Sequence, residues 1–238
     1  MTGTTGEDGL PPETDAASII VAAFAPLVGK RLLDIGCGAG VLARSLSARG
    51  AHISGVDPNA EALALAREAV PAGTFHLAGA EALPFADDFF DGAIFLNSLH
   101  HVPQPAIRRA LQEAARVVGP ARPIVVVEPL AEGSFFFALR PVEDETDVRT
   151  AAQDALRQVL KGGTFEQLRR VDYPRRELFE GLDQFLVRIV AVDPARAAVV
   201  AEHRPEIEAA FRRHARVAGD GRMALEQPMR AHVLTANA

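Results

Sequence analysis

Three alternate glycines, Gly36, Gly38 and Gly40, stand directly after a short apolar run in the stretch Leu32-Leu33-Asp34-Ile35-Gly36-Cys37-Gly38-Ala39-Gly40. A strand that passes through such a turn into a helix brings bare backbone against a ligand, because no Cβ stands in the way. A second apolar run, 51–56, ends in Gly55-Val56-Asp57-Pro58. A carboxylate there can accept both hydroxyls of a ribose. Together the two features predict a nucleoside-bearing cofactor. Their spacing then separates the candidates. Dinucleotide enzymes use G-x-G-x-x-G, which seats a pyrophosphate on a helix N-terminus. In this chain the third glycine falls one position early, at Gly40, and Val41 holds the usual site. That disfavours an NAD-dependent dehydrogenase.

A second set of groups stands later in the chain. His100 and His101 come just after the run 92–96, and Glu128 closes the run 123–128 beside Pro129. An imidazole, with a pKa near about 6.5, can take a proton from a phenol or an enol. Glu128 can accept from a substrate hydroxyl or amine. The competing reading makes one histidine a loop cap, the other a wall of the cleft, and Glu128 a structural carboxylate bonded to loop N–H groups. Phe135, Phe136 and Phe137 fall in the next loop and cannot all face one way. Some pack inward, and one can form the wall of an apolar or aromatic acceptor site. The acidic run Glu143-Asp144-Glu145-Thr146-Asp147 reads as a helix N-terminus charged to suit the dipole. Cys37 has no motif that supplies it a base. His203, His214 and His232 have no metal spacing, and no metal site is expected.

These groups need a scaffold, and the chain alternates strands and helices. Helices are predicted over 16–28, 41–49, 60–70, 104–118 and 147–161, with Asp15 in N-cap position for the first. Strands are predicted over 31–35, 51–56, 74–77, 92–96 and 123–128, with weaker candidates over 164–171 and 223–235. Strands this apolar, separated by helices, read as parallel and covered on both faces. Right-handed crossovers give a doubly wound, Rossmann-like α/β sheet. Residues 1–14 read as a flexible N-terminus and 15–238 as one domain. A helical insertion over about 175–217 precedes the last strand, carrying Phe179, Leu182, Phe185, Leu186 and Ile189 at helical spacing. That stripe either covers an acceptor pocket or packs on the sheet.

The first motif, Leu33 to Gly40, resembles that of class I S-adenosylmethionine methyltransferases, and within them the small-molecule group that includes the ubiquinone and menaquinone methyltransferases. The resemblance continues through Asp57, through Ala80-Glu81-Ala82-Leu83-Pro84-Phe85 with Phe90-Asp91, and through Asn97-Ser98-Leu99-His100-His101-Val102. It covers about residues 30–130. It implies a seven-stranded sheet with the last strand antiparallel. It also implies S-adenosylmethionine as cofactor, S-adenosylhomocysteine as product, and methyl transfer to an O, N or C atom of a small molecule. By the same resemblance, Gly36, Cys37, Gly38 and Gly40 face the methionine and ribose parts, and Asp34 supports the ammonium. Asp57 and Pro58 lie at the ribose, Ala80 N–H meets the adenine, and Asn97 lines the cleft beside the sulfonium. One position departs. The family places Asp before the Ala-Glu pair to accept from the adenine amino group, and this chain has Gly79, with Glu81 two residues on. That departure keeps open a non-catalytic, cofactor-binding relative of the family.

Composition removes other classes. The net charge is −6, and the first 138 residues carry all of the excess, with 9 Lys/Arg against 15 Asp/Glu. Such a face does not track phosphates, so no nucleic-acid partner is expected. The clusters Arg170, Arg175, Arg176 and Arg212, Arg213, Arg216 read as solvated faces. One cysteine permits no intrachain disulfide. No run approaches the roughly 20 apolar residues of a membrane span, and residues 1–12 do not read as a signal peptide. A cytoplasmic enzyme with a small-molecule partner is the expectation.

Overall fold

The computed structural model describes residues 15–237, so the expected flexible N-terminus lies outside the described residues. Its elements are α1 (Ala16–Phe24), β1 (Arg31–Ile35), α2 (Val41–Ser47), β2 (His52–Asp57), α3 (Ala60–Ala69), β3 (Thr74–Leu77), β4 (Gly92–Leu96), α4 (Ile107–Val118) and β5 (Pro123–Pro129). There follow α5 (Ser134–Leu139), α6 (Thr146–Lys161), β6 (Phe165–Phe179), α7 (Leu182–Val192), α8 (Arg196–Glu202), α9 (Arg204–His214), β7 (Arg216–Val217) and β8 (Met223–Ala236). The described chain forms two compact units. One takes residues 15–128, 151–171 and 230–237; the other takes 129–150 and 172–229.

In the first unit the strand order begins β3-β2-β1-β4-β5, with every adjacent pair parallel. Asp34 lies opposite Gly55 on one side and Ile94 on the other. The chain winds outward from β1 through β2 to β3, then returns to place β4 on the other flank. The loops after β1 and β4 therefore diverge, and a crevice opens at the C-terminal ends of these two strands. The strands are buried on both faces: Leu32, Leu33, Ile94, Phe95, Val125 and Val126 have at most a trace of exposure. That is why they read as continuous apolar runs rather than alternating ones. Helix α4 covers one face with Ile107, Ala110, Leu111, Ala114, Val117 and Val118, an i, i+3, i+4 stripe. Leu156 and Val159 of α6 join the same core.

Helix α1 starts where Asp15 marks it. The Asp15 carboxylate accepts the Ser18 N–H at 2.7 Å, and Ser18 Oγ accepts the Asp15 N–H at 3.1 Å. It stops at Phe24 rather than at Val28. Pro26 is the reason, since the residue before a proline is pushed out of the helical region.

β8 lies between β5 and β6. Ala121 N–H donates to Ala236 C=O and Leu130 N–H donates to Pro228 C=O, so β8 runs antiparallel to β5. Asn237 N–H donates to Thr164 C=O and His232 Nδ1 bonds Gln167 Oε1, so β6 is antiparallel to β8. The expected seven-strand order with an antiparallel last strand is present, and the two-residue β7 adds an eighth strand beside β8.

Two expectations need correction. The helical insertion does not begin near Arg175, because β6 continues to Phe179. Val171, Tyr173 and Phe179 are buried and Arg175 and Glu177 half-buried, while Asp172, Pro174 and Arg176 are exposed: a period of two, which is strand spacing. The polar Arg175 and Glu177 at inward positions hide the alternation. Pro174 is tolerated because β6 is the last strand of the sheet order. Residues 135–137, expected in a loop, lie in α5.

The second unit has its own core. Phe185 is its centre, with ring centroids 5.7 Å from Phe135, 5.5 Å from Phe179 and 5.3 Å from Phe211. Leu186 and Ile189 are buried in the same cluster, so within this unit the stripe on α7 is packing. Here Glu145 and Arg149 form a buried pair on one face of α6, with Arg149 Nη1 also donating to Gln227 Oε1 and Leu130 C=O. The acidic run before α6 splits accordingly: Glu145 faces inward to Arg149, while exposed Asp144 accepts the Thr146 N–H and pairs with Arg140. Among the described residues no helix is long and apolar enough to cross a membrane.

Candidate functional site

The turn after β1 is built from both sides. Val56 C=O accepts the N–H groups of Gly36 and Cys37, and Cys37 C=O accepts from Gly40, so the chain folds tightly over the end of β2. Gly36, Gly38 and Gly40 all have φ between +51° and +76°. Left-handed backbone favours glycine, but space separates the three. A Cβ on Gly36 would lie 2.4 Å from the Ser98 Cβ, and one on Gly40 would lie 3.1 Å from Ala66. A Cβ on Gly38 would meet nothing within 4 Å. Gly36 is thus demanded by the neighbouring loop, Gly40 by α3, and Gly38 alone is bare toward open space. We expect Gly36→Ala to destabilise the fold by about 2–4 kcal/mol, combining backbone strain with overlap against Ser98. The denaturant midpoint measures this.

Asp57, at the C-terminal end of β2, grips the turn. Its Oδ2 accepts the Gly38 N–H at 2.8 Å, and its Oδ1 accepts the Asn59 N–H at 2.8 Å. Asn59 in turn caps α3 through Glu61 and Ala62. Each Asp57 oxygen thereby keeps lone-pair capacity on its remaining side.

Asp34 is buried beneath the turn, and its Oδ2 accepts no hydrogen bond from the described residues. Burial, then the charge of Asp57, push its carboxyl up to about 7, against a partial pull downward by the Ala43 N–H. A carboxyl raised from 3.8 binds more protons folded than unfolded between about pH 4 and pH 7. Its contribution to stability therefore falls as pH rises through that window. Melting temperatures of the ligand-free protein across this range should carry that slope, and Asp34→Asn should remove it. The same burial, with Asp34 and Asp57 nearby, drives the Cys37 thiol up to about 12. Cys37 stays protonated and is not a nucleophile.

Beyond β4, Asn97 adopts φ +54° and its Oδ1 is buried without a hydrogen-bond partner among the described residues. Ser98 Oγ donates to Ile35 C=O at 2.6 Å, locking this loop onto the end of β1. Glu128 organises the rest of the loop. Its Oε1 accepts the N–H groups of Ser98 and Leu99 at 3.1 and 2.9 Å, and its Oε2 meets His100 at both the backbone N–H and Nδ1. Glu128 and His100 are both buried, whereas His101 is exposed with its ring 4.0 Å from that of His100. Glu128 therefore holds the loop, as the structural reading of this carboxylate expects, and it also fixes one imidazole.

A third loop, 78–85, succeeds β3. Ala78 N–H donates to Asp57 C=O, placing this loop beside the end of β2. Helix α4 ties it down: Arg109 Nε donates to Glu81 C=O, Glu113 accepts from Leu83 N–H, and Arg116 donates to the carbonyls of Leu83 and Phe85. Phe90-Asp91 serves the scaffold, with Asp91 Oδ2 accepting the Arg31 N–H at the start of β1.

The candidate cofactor residues thus converge on the C-terminal ends of β1, β2, β3 and β4. Pro58 directly follows Asp57 at the end of β2. Of the three phenylalanines, Phe135 and Phe136 are buried in the second unit, and Phe137 is partly exposed, its ring 5.3 Å from that of His214. Sequence reasoning missed Ser98 and Arg149. The short side chain that Gly36 leaves room for could have signalled Ser98. A long cation within an otherwise apolar helix face, four residues after Glu145, could have signalled Arg149.

The site fits an amino-acid-linked nucleoside by its own geometry. Asp34 Oδ2 and Asn97 Oδ1 are buried acceptors in need of donors, and the backbone at Gly38 is open beside the Asp57 carboxylate.

Comparison with known proteins agrees. A family model described as a methyltransferase domain matches residues 32–121. A ubiquinone biosynthesis O-methyltransferase of Aromatoleum aromaticum is 44% identical over 88 residues, 34% of this chain and 37% of that protein. The chain spans less than half the length of the curated relatives it matches. Among solved structures, the YcgJ protein of Bacillus subtilis superposes with a TM-score of 0.65 at 19% identity, covering 93% of this chain and 98% of that one. A methyltransferase of Geobacter sulfurreducens, solved with S-adenosyl-L-homocysteine, gives 0.58 at 16% identity over 93% and 90%. These two likenesses concern the fold. The glycine turn and the strand order agree with that match: over residues 32–121 the chain is similar to a methyltransferase domain, and its fold is that of the solved proteins it superposes on.

Proposed function

We propose that this protein methylates a hydroxyl group on an aromatic small molecule, with S-adenosylmethionine as methyl donor. The observation that carries the cofactor assignment is the Asp57 carboxylate bonded to the Gly38 N–H beside backbone that no side chain covers. The oxygen acceptor is supported by the O-methyltransferase names of the curated relatives and by an imidazole pair held at the ligand edge of the sheet.

When bound, the cofactor supplies an electrophilic methyl group on a sulfonium, so the protein has mainly to align the acceptor and exclude water. In this reading Asp57 accepts the ribose hydroxyls and Asp34 faces the ammonium, whose positive charge returns the buried carboxyl to its ionised form. Gly36, Cys37, Gly38 and Gly40 offer backbone, Pro58 shapes the ribose side, and Asn97 Oδ1 faces the reacting end. Gly79, Ala80 and Glu81 border the base. His101, the exposed imidazole, accepts the proton that the acceptor hydroxyl loses. Glu128 and His100 act as positioning residues: the buried carboxylate fixes the His100 ring, and His100 supports His101. With Cys37 the sole cysteine and buried, the chain has no use for an oxidising compartment, and we place the reaction in the cytoplasm.

A panel of phenols and catechols, monitored by release of S-adenosylhomocysteine, tests the reading. Turnover with a phenolic acceptor, lost on His101→Ala while cofactor still binds, is the expected result. Turnover only with amine or carbon acceptors would refute the oxygen assignment. Cofactor binding without turnover on any acceptor would favour a non-catalytic member of the family.

A further inference from the structure

The geometry points to a symmetric pairing of two copies of this chain through the outer edge of β6, over residues 165–171. β6 ends the strand order, and no described strand lies against its far side. An uncovered edge presents a row of backbone N–H and C=O groups that another strand can satisfy. Glu166, Gln167, Leu168, Arg169 and Arg170 are exposed without interruption, so both faces of this stretch are open. Leu168, at its middle, is 56% exposed. Phe165 and Val171, at its two ends, are buried and hold the segment extended on the first unit.

Charge alone often blunts such an edge, but here the order of the charges favours self-pairing. Two copies of one strand about a two-fold axis run antiparallel, and facing residues share the same alternate set. Each register is therefore centred on one residue that meets itself. Centring on Glu166, Arg169 or Arg170 sets like charges face to face. Centring on Gln167 opposes Glu166 to Leu168 and Arg169 to Phe165, which pairs no charges. Centring on Leu168 sets Glu166 opposite Arg170 twice, Gln167 opposite Arg169, and Leu168 opposite Leu168. One face then carries an ion pair, an apolar contact and a second ion pair in a row.

This register also ends where the strand does. Val171 meets Phe165, and beyond them stand residues 162–164, whose N–H groups close α6 on the carbonyls of Gln158, Leu160 and Val159. The pairing adds about eight backbone hydrogen bonds across the axis. Its area falls short of the roughly 1,000 Å² of a persistent interface, so the dimer is weak and concentration-dependent. It forms at the opposite end of the strand order from β3 and uses no residue of the glycine turn.

Sedimentation velocity of the full chain at low salt, from about 5 to 500 µM, tests this in the range of transient interfaces. The wild type should pass from monomer to dimer across that range. Glu166→Arg and Arg170→Glu should each weaken association at least about tenfold, because either change puts like charges into both ion-pair contacts. An equimolar mixture of the two variants should dimerise as the wild type does, since every 166–170 contact between them again joins opposite charges. Both positions are exposed, and melting temperatures of the variants control for folding. A wild type that stays monomeric throughout overturns the pairing. So do single variants that dimerise as well as the wild type, or a mixture that stays monomeric.

Discussion

Asp57→Ala should weaken binding of S-adenosylhomocysteine by about 100-fold or more while leaving a folded protein. Each Asp57 oxygen accepts one backbone N–H, from Gly38 and from Asn59, and retains capacity for a second donor. Two hydroxyl hydrogen bonds to a carboxylate are each worth about 1.5–3 kcal/mol. Their joint loss gives at least about 3 kcal/mol, or more than two powers of ten in affinity. The fold should survive because Asn59 still caps α3 and Gly38 N–H faces space that solvent reaches. Asp57→Asn keeps one acceptor oxygen and the packing, and should fall between. Calorimetry reads the affinity, and ligand-free melting separates it from folding. A full loss of folding in Asp57→Asn would show that the carboxylate serves the turn rather than a ligand.

Glu128→Ala should cost the largest share of stability among single changes at this site, about 4 kcal/mol or more. The alanine strands the N–H groups of Ser98, Leu99 and His100 and one imidazole nitrogen, all at the buried end of β4. Each unsatisfied buried donor costs about 1–3 kcal/mol. Against a total of about 5–15 kcal/mol for a domain, the variant is close to unfolding at ordinary temperature. Glu128→Gln retains one carbonyl acceptor and the shape. It should lose about half as much, and its turnover should fall further than its stability, because the His100 ring loses its charged anchor. Denaturant midpoints of both variants, with turnover of Glu128→Gln, check this. Equal small losses in stability, with normal turnover, would show the network to be incidental.

Much of the sheet and the glycine turn was readable in the residue order because each signal was local. Apolar runs as pure as Ile124–Val127 leave only buried strands, and Asp15 marks a helix start by chemistry that acts within three residues. The later part was not readable for the opposite reason. Arg175 and Glu177 occupy inward positions of β6, so the period of two is carried by charge as well as by apolar residues. The buried Arg149 is intelligible only beside Gln227, 78 residues away. At the site, residue order pointed to Asp57 and the family resemblance to Asp34 and Asn97, while the division of labour among the glycines depended on Ser98 and Ala66, which no spacing rule connects to the turn. Glu128 was legible as a carboxylate at the ligand edge. Its four contacts to one short loop were not.

The most direct test of the account is the melting temperature of the intact chain with S-adenosylhomocysteine and with NAD, side by side, at the same concentrations. The account predicts a saturable rise with S-adenosylhomocysteine, abolished in Asp57→Ala, and none with NAD. A rise with NAD alone, or a rise with S-adenosylhomocysteine that Asp57→Ala leaves intact, would contradict it.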